Sequence, residues 1–439
     1  MANASAASIY EILNIEKFHK ETNTTEVVNI TEKTVAFKYY ESLLSPNTTG
    51  SLMFVDTGSA IESKTDRQER EGSIYNALPL TGQEKLKFKI SSKLGTINFS
   101  SEDQHFQVNK ITNLKQESQR ETVFLELVSK NGIKNHSKVV RKKYYGNIGV
   151  AVTSILKDSF GLNNDKIQID PTQNTYNFNG YDEDPFSVIL DLAPQSISKF
   201  GDPGYFFYET QNGMNFRSID SLIKDGDEKV KNKTIPTYYY SAGARSSVGN
   251  DGNDNKIVSY NIAQNSDIIN AIKSGVFESR AICINPHTLK IMEVVVRLSN
   301  NKLKTTLAKD TPPLESSDNN YSITYTHILD VGMNSSGIDV SINNNPCLYV
   351  AKSRMRYNLL TSQILNMTIP CNPSLVAGDV IRCEFESITN SEKELGAFDQ
   401  NQSGNWMIMD LCHHFEPNRS YTGLRLVRDS YGIYKSEGK

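Results

Sequence analysis

VAGDVIRCEF (376–385), NWMIMDLC (405–412) and YTGLRLVRD (421–429) are three short apolar runs separated by turn residues. Their near-alternation of apolar and polar positions suits half-buried antiparallel strands. The same order recurs towards the other end of the chain as LTGQEKLKFKI (80–90), HFQVNKIT (105–112) and ETVFLELVSK (121–130). Gly82 matches Gly378, with an acid following each at one or two residues. Phe106 matches Trp406, Val108 matches Ile408, Ile111 matches Leu411 and Thr122 matches Thr422. After one extra residue in the first copy, Leu125, Leu127 and Val128 match Leu424, Leu426 and Val427. Any two amphipathic hairpins share alternating hydrophobics, but here order, spacing and the Gly and Thr punctuation agree together. The chain is therefore read as holding two copies of one small β-domain. Such a domain buries little surface alone, so its edges should close against neighbouring copies, within or between chains.

Outside the repeat, strand-like segments still dominate. TVAFKYYE (34–41) and GSLMFVDT (50–57) precede the first copy, and RAICIN (280–285) with KIMEVVVRL (290–298) reads as a hairpin turning at Pro286 to Leu289. Two helices are expected. NIGVAVTSILKDSFGL (147–162) has Ile148, Val152, Ile155, Leu156 and Phe160 at helical spacing and stops at Gly161. DPFSVILDLAPQSI (184–197) opens with an acid and has Pro185 in its first turn, a good helix start. SAGARSSVGNDGNDNK (241–256) and KDTPPLESSDNN (309–320) read as exposed loops. The expected fold is α+β and predominantly β, with two antiparallel β-barrel domains related by the repeat and inserted α+β domains. The expected boundaries are 1–130 for an N-terminal segment and first barrel, 131–235 for an insert and 236–298 for the start of the second barrel. A small inserted domain follows in 299–349, and 350–439 completes the second barrel and the C-terminal tail.

Composition limits what the chain can do. With 439 residues there is room for roughly two to four domains. The 38% hydrophobic content supports cores, but no run approaches the about 18 apolar residues of a membrane helix. The start, MANASAASIYEILNIEKF, lacks a basic region and a long apolar stretch, so no secretory leader and a cytoplasmic origin are expected. Asn47-Thr48-Thr49 and similar triplets then read as compositional rather than as glycan sites. A net charge of −3, from 47 basic and 50 acidic residues, argues against tight nucleic-acid binding. Cys283, Cys347, Cys371, Cys383 and Cys412 are odd in number and scattered without CxxC spacing, which favours free thiols over disulfides.

NWMIMDLCHHFE (405–416) looks most like chemistry, with the single Trp, a Cys and two of the seven His. Simple alternation puts Met407, Met409, Leu411, His413 and Phe415 on one strand face, and Trp406, Ile408, Asp410, Cys412 and His414 on the other. Cys412 and His414 could share a metal, with Cys383 as a third ligand, but zinc needs four. An ordinary strand is the reading adopted. A Cys–His nucleophilic pair lacks an orienting third group, and His287 and His327 have no motif around them. Asp182, Glu183 and Asp184 stand directly before a helix, where acids complement its dipole, rather than across a glycosidase cleft. No phosphate-loop glycine pattern occurs. Tyr238-Tyr239-Tyr240 reads as an edge or subunit contact, and the basic VVRKKYYGN (139–147) as a solvated helix entry or salt-bridge site. No catalytic, cofactor-binding or metal residue is assigned, and the chain is not expected to be an enzyme.

Four stretches resemble the baseplate hub proteins of T4-like contractile-tailed bacteriophages. They are DPFSVILDLAPQSI with GDPGYFFYETQNGMNFRSIDSLI (201–223), VFESRAICINPHTLKIMEVVV (276–296), LVAGDVIRCEF (375–385) and GNWMIMDLCHHFEPNRSYTGLRLVRDSYG (404–432). The likeness spans 184–432 apart from 299–345, and the repeat extends it to the N-terminal third. It rests on fold-defining residues and carries no catalytic signature. The resemblance implies a homotrimer with two tail-tube-like barrels per chain, forming a ring of six similar barrels. Such a ring adapts the sixfold tail tube to a threefold central spike and leaves a channel that DNA traverses without specific binding. Implied partners are the central spike trimer, the tail tube and tape-measure proteins and the baseplate wedge proteins. The implied location is the virion tail baseplate, after assembly in the host cytoplasm and without membrane insertion. The hub of a related contractile injection or secretion spike is an alternative of the same kind. A tail-associated cell-wall hydrolase or glycan-binding protein is the alternative of a different class.

Overall fold

The computed structural model describes residues 8–20, 23–57, 61–62, 69–70, 78, 80–117, 120–240, 253–285, 289–300, 303–311, 323–328, 346–387, 398–399 and 401–432. The loop readings for 241–252 and 312–320, and His287, lie outside the described residues. The first third is all strand: β1 (Ile9–His19), β2 (Thr24–Asn29), β3 (Thr34–Ser42), β4 (Thr49–Asp56), the short pair β5 (Ile61–Glu62) and β6 (Glu69–Arg70), β7 (Lys85–Ser92), β8 (Gly95–Phe99), β9 (Phe106–Glu117) and β10 (Arg120–Ser129). A mixed segment follows, with α1 (Lys130–Asn135), β11 (Lys143–Tyr144), α2 (Ile148–Phe160), β12 (Ile167–Ile169), β13 (Phe178–Asn179), α3 (Pro185–Leu192), β14 (Tyr205–Thr210), β15 (Gly213–Ser218) and α4 (Ile219–Lys231). The remainder holds β16 (Thr237–Tyr240), β17 (Ser259–Gln264), α5 (Ile268–Lys273), β18 (Glu278–Ile284), β19 (Ile291–Arg297), β20 (Ile323–Ile328), α6 (Pro346–Leu360), β21 (Gln363–Pro370), β22 (Val380–Phe385), β23 (Gly404–Glu416) and β24 (Arg419–Arg428).

The fold is α+β and mostly antiparallel β, and one 14-stranded sheet contains both copies of the repeat. Its order resolves into two equivalent runs. The first copy reads β3-β4-β10-β9-β7, and the second reads β17-β21-β24-β23-β22. The strands form because each alternates. In β7, Leu86, Phe88 and Ile90 point inwards while Lys85, Lys87 and Lys89 stay partly exposed. Each copy curls strongly round its own core. Phe37 of β3 and Phe88 of β7 lie four places apart in the sheet, yet their ring centroids are 4.6 Å apart. In the second copy Tyr260 of β17 meets Phe385 of β22 at the same 4.6 Å. Among the described residues the named strands of neither copy close into a ring, so each is described as a curled sheet where a barrel was expected. In the second copy an isolated bridge from Tyr239 to Lys256, with Ile257 N–H donating to Tyr239 O at 2.9 Å, links β16 to the stretch that leads into β17.

The repeat extends to backbone detail. In the first copy the N–H of Gln83 donates to Val108 O at 2.8 Å, and the N–H of Val108 donates to Glu84 O at 2.9 Å. In the second copy Gly378 donates to Ile408 O at 2.9 Å, and Ile408 donates to Asp379 O at 2.8 Å. The acids align, with Glu84 accepting from Thr81 N–H and Asp379 from Val376 N–H. Gln83, at φ 69°, therefore holds the place of Gly378, at φ 90°, one residue from the Gly82 match suggested by the sequence. Both copies also carry a β-bulge at the same point. Pairing slips between Glu126 and Leu127 opposite Asn109, and between Ile408 and Asp410 at Met409.

That bulge corrects the face assignment for 405–416. An extra residue inverts the alternation beyond it. Trp406, Ile408 and Leu411 share the second core, Met407 and Met409 face the mixed segment, and Phe415 enters the first core. Leu411 therefore lies with Trp406 and Ile408, not with Met407 and Met409.

Helices α2 and α3 stand where periodicity put them. Asn147 caps α2 through Val150 N–H, Gly161 ends it at φ 72°, and Asp184 caps α3. The sequence reading missed α4 and α6. In α6, Cys347, Val350, Ala351, Met355, Leu359 and Leu360 are buried together with Ser353 and Arg356, so no polar stripe marks the helix. The hairpin at 278–297 forms as read from the sequence, but it pairs with β20 in a separate three-stranded sheet packed under α6. Within 236–298, only β16 and β17 join the main sheet. Cys283 of this small sheet and Cys347 of α6 form a disulfide, which corrects the expectation of five free thiols. Spacing could not show it, because the two cysteines are 64 residues apart and meet only when α6 lies across β18. Cys371, Cys383 and Cys412 are free.

Candidate functional site: the junction between the two copies

Strand β23 is 13 residues long and serves two neighbours along one edge. Its first half pairs with β22, from Cys383↔Gly404 to Val380↔Met407. Beyond the bulge, residues 410–415 pair antiparallel with β3 of the first copy, from Asp410↔Ser42 to Phe415↔Phe37. The two copies are thus joined by a continuous ladder, and the residues that looked like chemistry lie on it. His413 stacks on Tyr39 with ring planes 6° apart, and Phe415 stacks on Phe37. His413 Nδ1 lies 2.9 Å from Thr422 Oγ1, and burial pushes its pKa down to about 4, leaving a neutral ring. His414 lies 2.6 Å from the Tyr421 hydroxyl and 3.0 Å from Glu416, but burial still lowers its pKa. Burial raises the Cys412 thiol to about 11. Among the described residues no group of three His, Cys, Asp or Glu side chains is placed to hold a metal.

The mixed segment locks this junction through the hairpin β14–β15, the FFYETQNGMNFRS stretch. Glu41 of β3 is fully buried, accepting from the Tyr39 hydroxyl at 2.7 Å, Gln211 N–H at 2.7 Å and Ala377 N–H at 2.8 Å. One carboxyl thereby joins the first copy, the hairpin and the second copy. Burial raises its pKa to about 7, against the pull of those three donors. Glu209 repeats the device on the first copy, accepting from Thr48 N–H at 2.9 Å and Asn131 at 2.9 Å. Its pKa is also raised by burial. The Gln211 side chain donates to Pro373 O at 2.6 Å, while Gln104 donates to Gln211 O at 2.6 Å. Glu41, Glu209 and Gln211 were not singled out from sequence. The available signal was the acid inside each apolar run, YYES and FYET, which must be satisfied once the strands are buried.

Asp182, Glu183 and Asp184 part company in the structure. Asp184 caps α3 and also accepts from Asn135, Asp182 pairs with exposed Arg141, and the backbone of Glu183 bridges to Val140. Tyr238 packs in the second core and bonds Asn372 at 2.9 Å, and Lys142 of the basic stretch pairs with Asp158. Across the described residues no helix is long and apolar enough to cross a membrane.

The fold is one seen in phage-type tail proteins. The tail protein from Neisseria meningitidis MC58 superposes with a TM-score of 0.54 at 10% identity, covering 97% of each chain. The 43 kDa tail protein of prophage MuSo2 from Shewanella oneidensis superposes with a TM-score of 0.53 at 10% identity, covering 96% of this chain and 100% of the other. No protein-family model matches the chain. In sequence, the chain resembles the probable baseplate hub protein gp334 of Vibrio phage KVP40, at 22% identity over 257 residues. That match covers 56% of this chain, which spans a little over half, 57%, of the length of that relative. The resemblance to baseplate hub proteins read from the motifs is present in this match as well.

Proposed function

We propose that this chain is the hub subunit of a contractile-tail baseplate. Three copies form a ring of six similar curled sheets that stacks on a sixfold tail tube and seats a threefold central spike. DNA passes through its channel without specific binding, as suits a chain of net charge −3. The carrying observation is the in-chain junction, where one subunit already places two copies of one sheet side by side through β23 and β3. A threefold object that presents six similar surfaces needs that arrangement. On this reading the two copies of the first and last thirds are the tube-like domains; 131–235 is one insert, and the small sheet with α5 and α6, wider than the 299–349 expected from sequence, is the other. The spike, tube, tape-measure and wedge proteins are its partners in the virion, with assembly in the host cytoplasm.

The work is geometric and not catalytic. The buried carboxyls Glu41 and Glu209 support this, because both are spent on backbone N–H groups instead of facing a cleft. Interfaces in obligate assemblies of this kind bury about 2,000–5,000 Å². Light scattering on the purified chain tests the reading. A particle of three times the subunit mass is expected, and a monomer at every concentration, with or without spike protein, overturns it.

A further inference from the structure

The in-chain junction uses only one of two equivalent pairs of edges. In the second copy, the part of β23 beyond its bulge pairs with β3. In the first copy, β9 has the same bulge and the same β7 contact, limited to Lys85↔Gln107 and Leu86↔Phe106. Beyond Lys110 that edge of β9 pairs with no strand among the described residues. The counterpart of β3 is β17, because β3 flanks β4 as β17 flanks β21. Strand β3 has neighbours on both sides, whereas residues 259–264 of β17 pair only with β21 among the described residues, the preceding Lys256 and Ile257 being bridged to Tyr239 of β16. Each copy thus has one edge of each kind, and the chain satisfies one of each internally. Among the described residues one of each remains.

We infer that the free edge of β9, residues 110–115, pairs antiparallel with β17, residues 259–264, of a second copy of this chain. The occupant is fixed by the chain itself, which shows what the corresponding edge of β23 takes. The contact is head to tail, since β9 and β17 are different surfaces, so repeated use generates a ring wherever the rotation closes. The register follows from the in-chain ladder. Phe37 and Tyr260 are equivalent through their partners Leu52 and Met367, as are Tyr39 and Ile262 through Gly50 and Leu365. Strand β17 has an extra residue at Ala263, which places Gln264 at the position of Tyr40. Cys412 pairs with Tyr40 in the chain, so Thr112, the counterpart of Cys412, should face Gln264 of the neighbour. Closure after three subunits rests on the hub reading above; the edge pairing names its contact.

Two measurements test it on the full chain. Hydrogen exchange on the unmodified protein reads the pairing, with interior strand β10 as the protected reference and the outer edge of β8, which pairs only with β7 among the described residues, as the open one. Alternate amides in 110–115 and 259–264 are expected to exchange about tenfold or more slowly than those of the β8 edge. The double variant Thr112→Cys/Gln264→Cys reads the register: mild oxidation should give covalent dimers and trimers that neither single variant gives. A trimer by mass whose two segments exchange like the β8 edge, and whose cysteines do not link, overturns the pairing and leaves the trimeric reading standing. A monomer at all concentrations overturns both.

Discussion

Glu41 and His413 lie on the two strands of the in-chain junction, and burial moves their proton affinities in opposite directions. Burial lifts Glu41 from 4.5 to about 7, so the folded chain binds its proton more tightly than the unfolded chain does. Its stabilising effect is complete below pH 4.5 and is lost as pH rises to about 7, a change of about 3 kcal/mol. Burial drops His413 from 6.5 to about 4, so the unfolded chain binds that proton more tightly. Its effect is complete above pH 6.5 and is lost as pH falls towards 4, again by about 3 kcal/mol. The two slopes oppose each other between pH 4.5 and 6.5, so they nearly cancel in the unaltered protein. Glu41→Gln should uncover the histidine slope, making stability rise with pH across that window. His413→Phe should uncover the carboxyl slope, making stability fall with rising pH. Urea midpoints measured against pH for the three proteins check this, and three parallel profiles would refute it.

The turn that hooks each copy onto its long strand shows how one element diverges between two settings. Gln83 tolerates φ 69° because its surroundings are open, and neighbouring Gly82 would bring a Cβ no closer than 3.9 Å to Val108 O. At Gly378 a Cβ would stand 2.7 Å from the Tyr208 hydroxyl, 3.2 Å from Leu222 and 3.3 Å from Leu43. The hairpin and α4 cover only the second hook. Gln83→Gly should therefore be neutral or stabilising by up to about 1 kcal/mol. Gly378→Ala combines a positive φ with a clash and should cost about 2–4 kcal/mol in urea unfolding. Equal effects at the two positions would contradict the asymmetry. The hooks also mark what could be read beforehand. The order of strands, the acids of the two turns and helices α2 and α3 were visible because each depends on local pattern. The bulge at Met409 was not, since one extra residue inverts a face without altering composition. Helix α6 was hidden because other elements surround it, and Glu41 because its donors Gln211 and Ala377 are remote in sequence.

The mixed segment and the helix that packs on the small sheet meet at one buried ion pair. Arg356 of α6 donates to Asp220 at the start of α4 at 2.6 Å, and Asp220 also accepts from Ser198 at 2.6 Å and from Thr305. Burial alone would raise the Asp220 carboxyl, but the Arg356 guanidinium with the Ser198 and Thr305 donors outweighs it and holds the pKa below the usual carboxylate value. The same helix binds the mixed segment twice more. Ser353 donates to Pro194 O, and the Tyr357 hydroxyl accepts from Tyr205 N–H at 3.0 Å while donating to Tyr205 O. Helix α6 continues directly towards β21 and is tied to β18 by the Cys283–Cys347 disulfide, so forces on the inserts reach the repeat through it. Removing Arg356 alone would strand a buried carboxylate, costing about 3–5 kcal/mol. Replacing both partners removes the unpaired charge, so Arg356→Leu/Asp220→Asn should be less damaging than Arg356→Leu alone. Protonation of Asp220 at low pH should likewise recover part of the single variant's loss, because the neutral acid no longer needs a cation. Urea unfolding of Arg356→Leu, Asp220→Asn and the double variant at pH 7 and at pH 4 decides it. A double variant that loses the sum of the two single effects would mean that the pair does not act as one unit in joining α6 to the mixed segment.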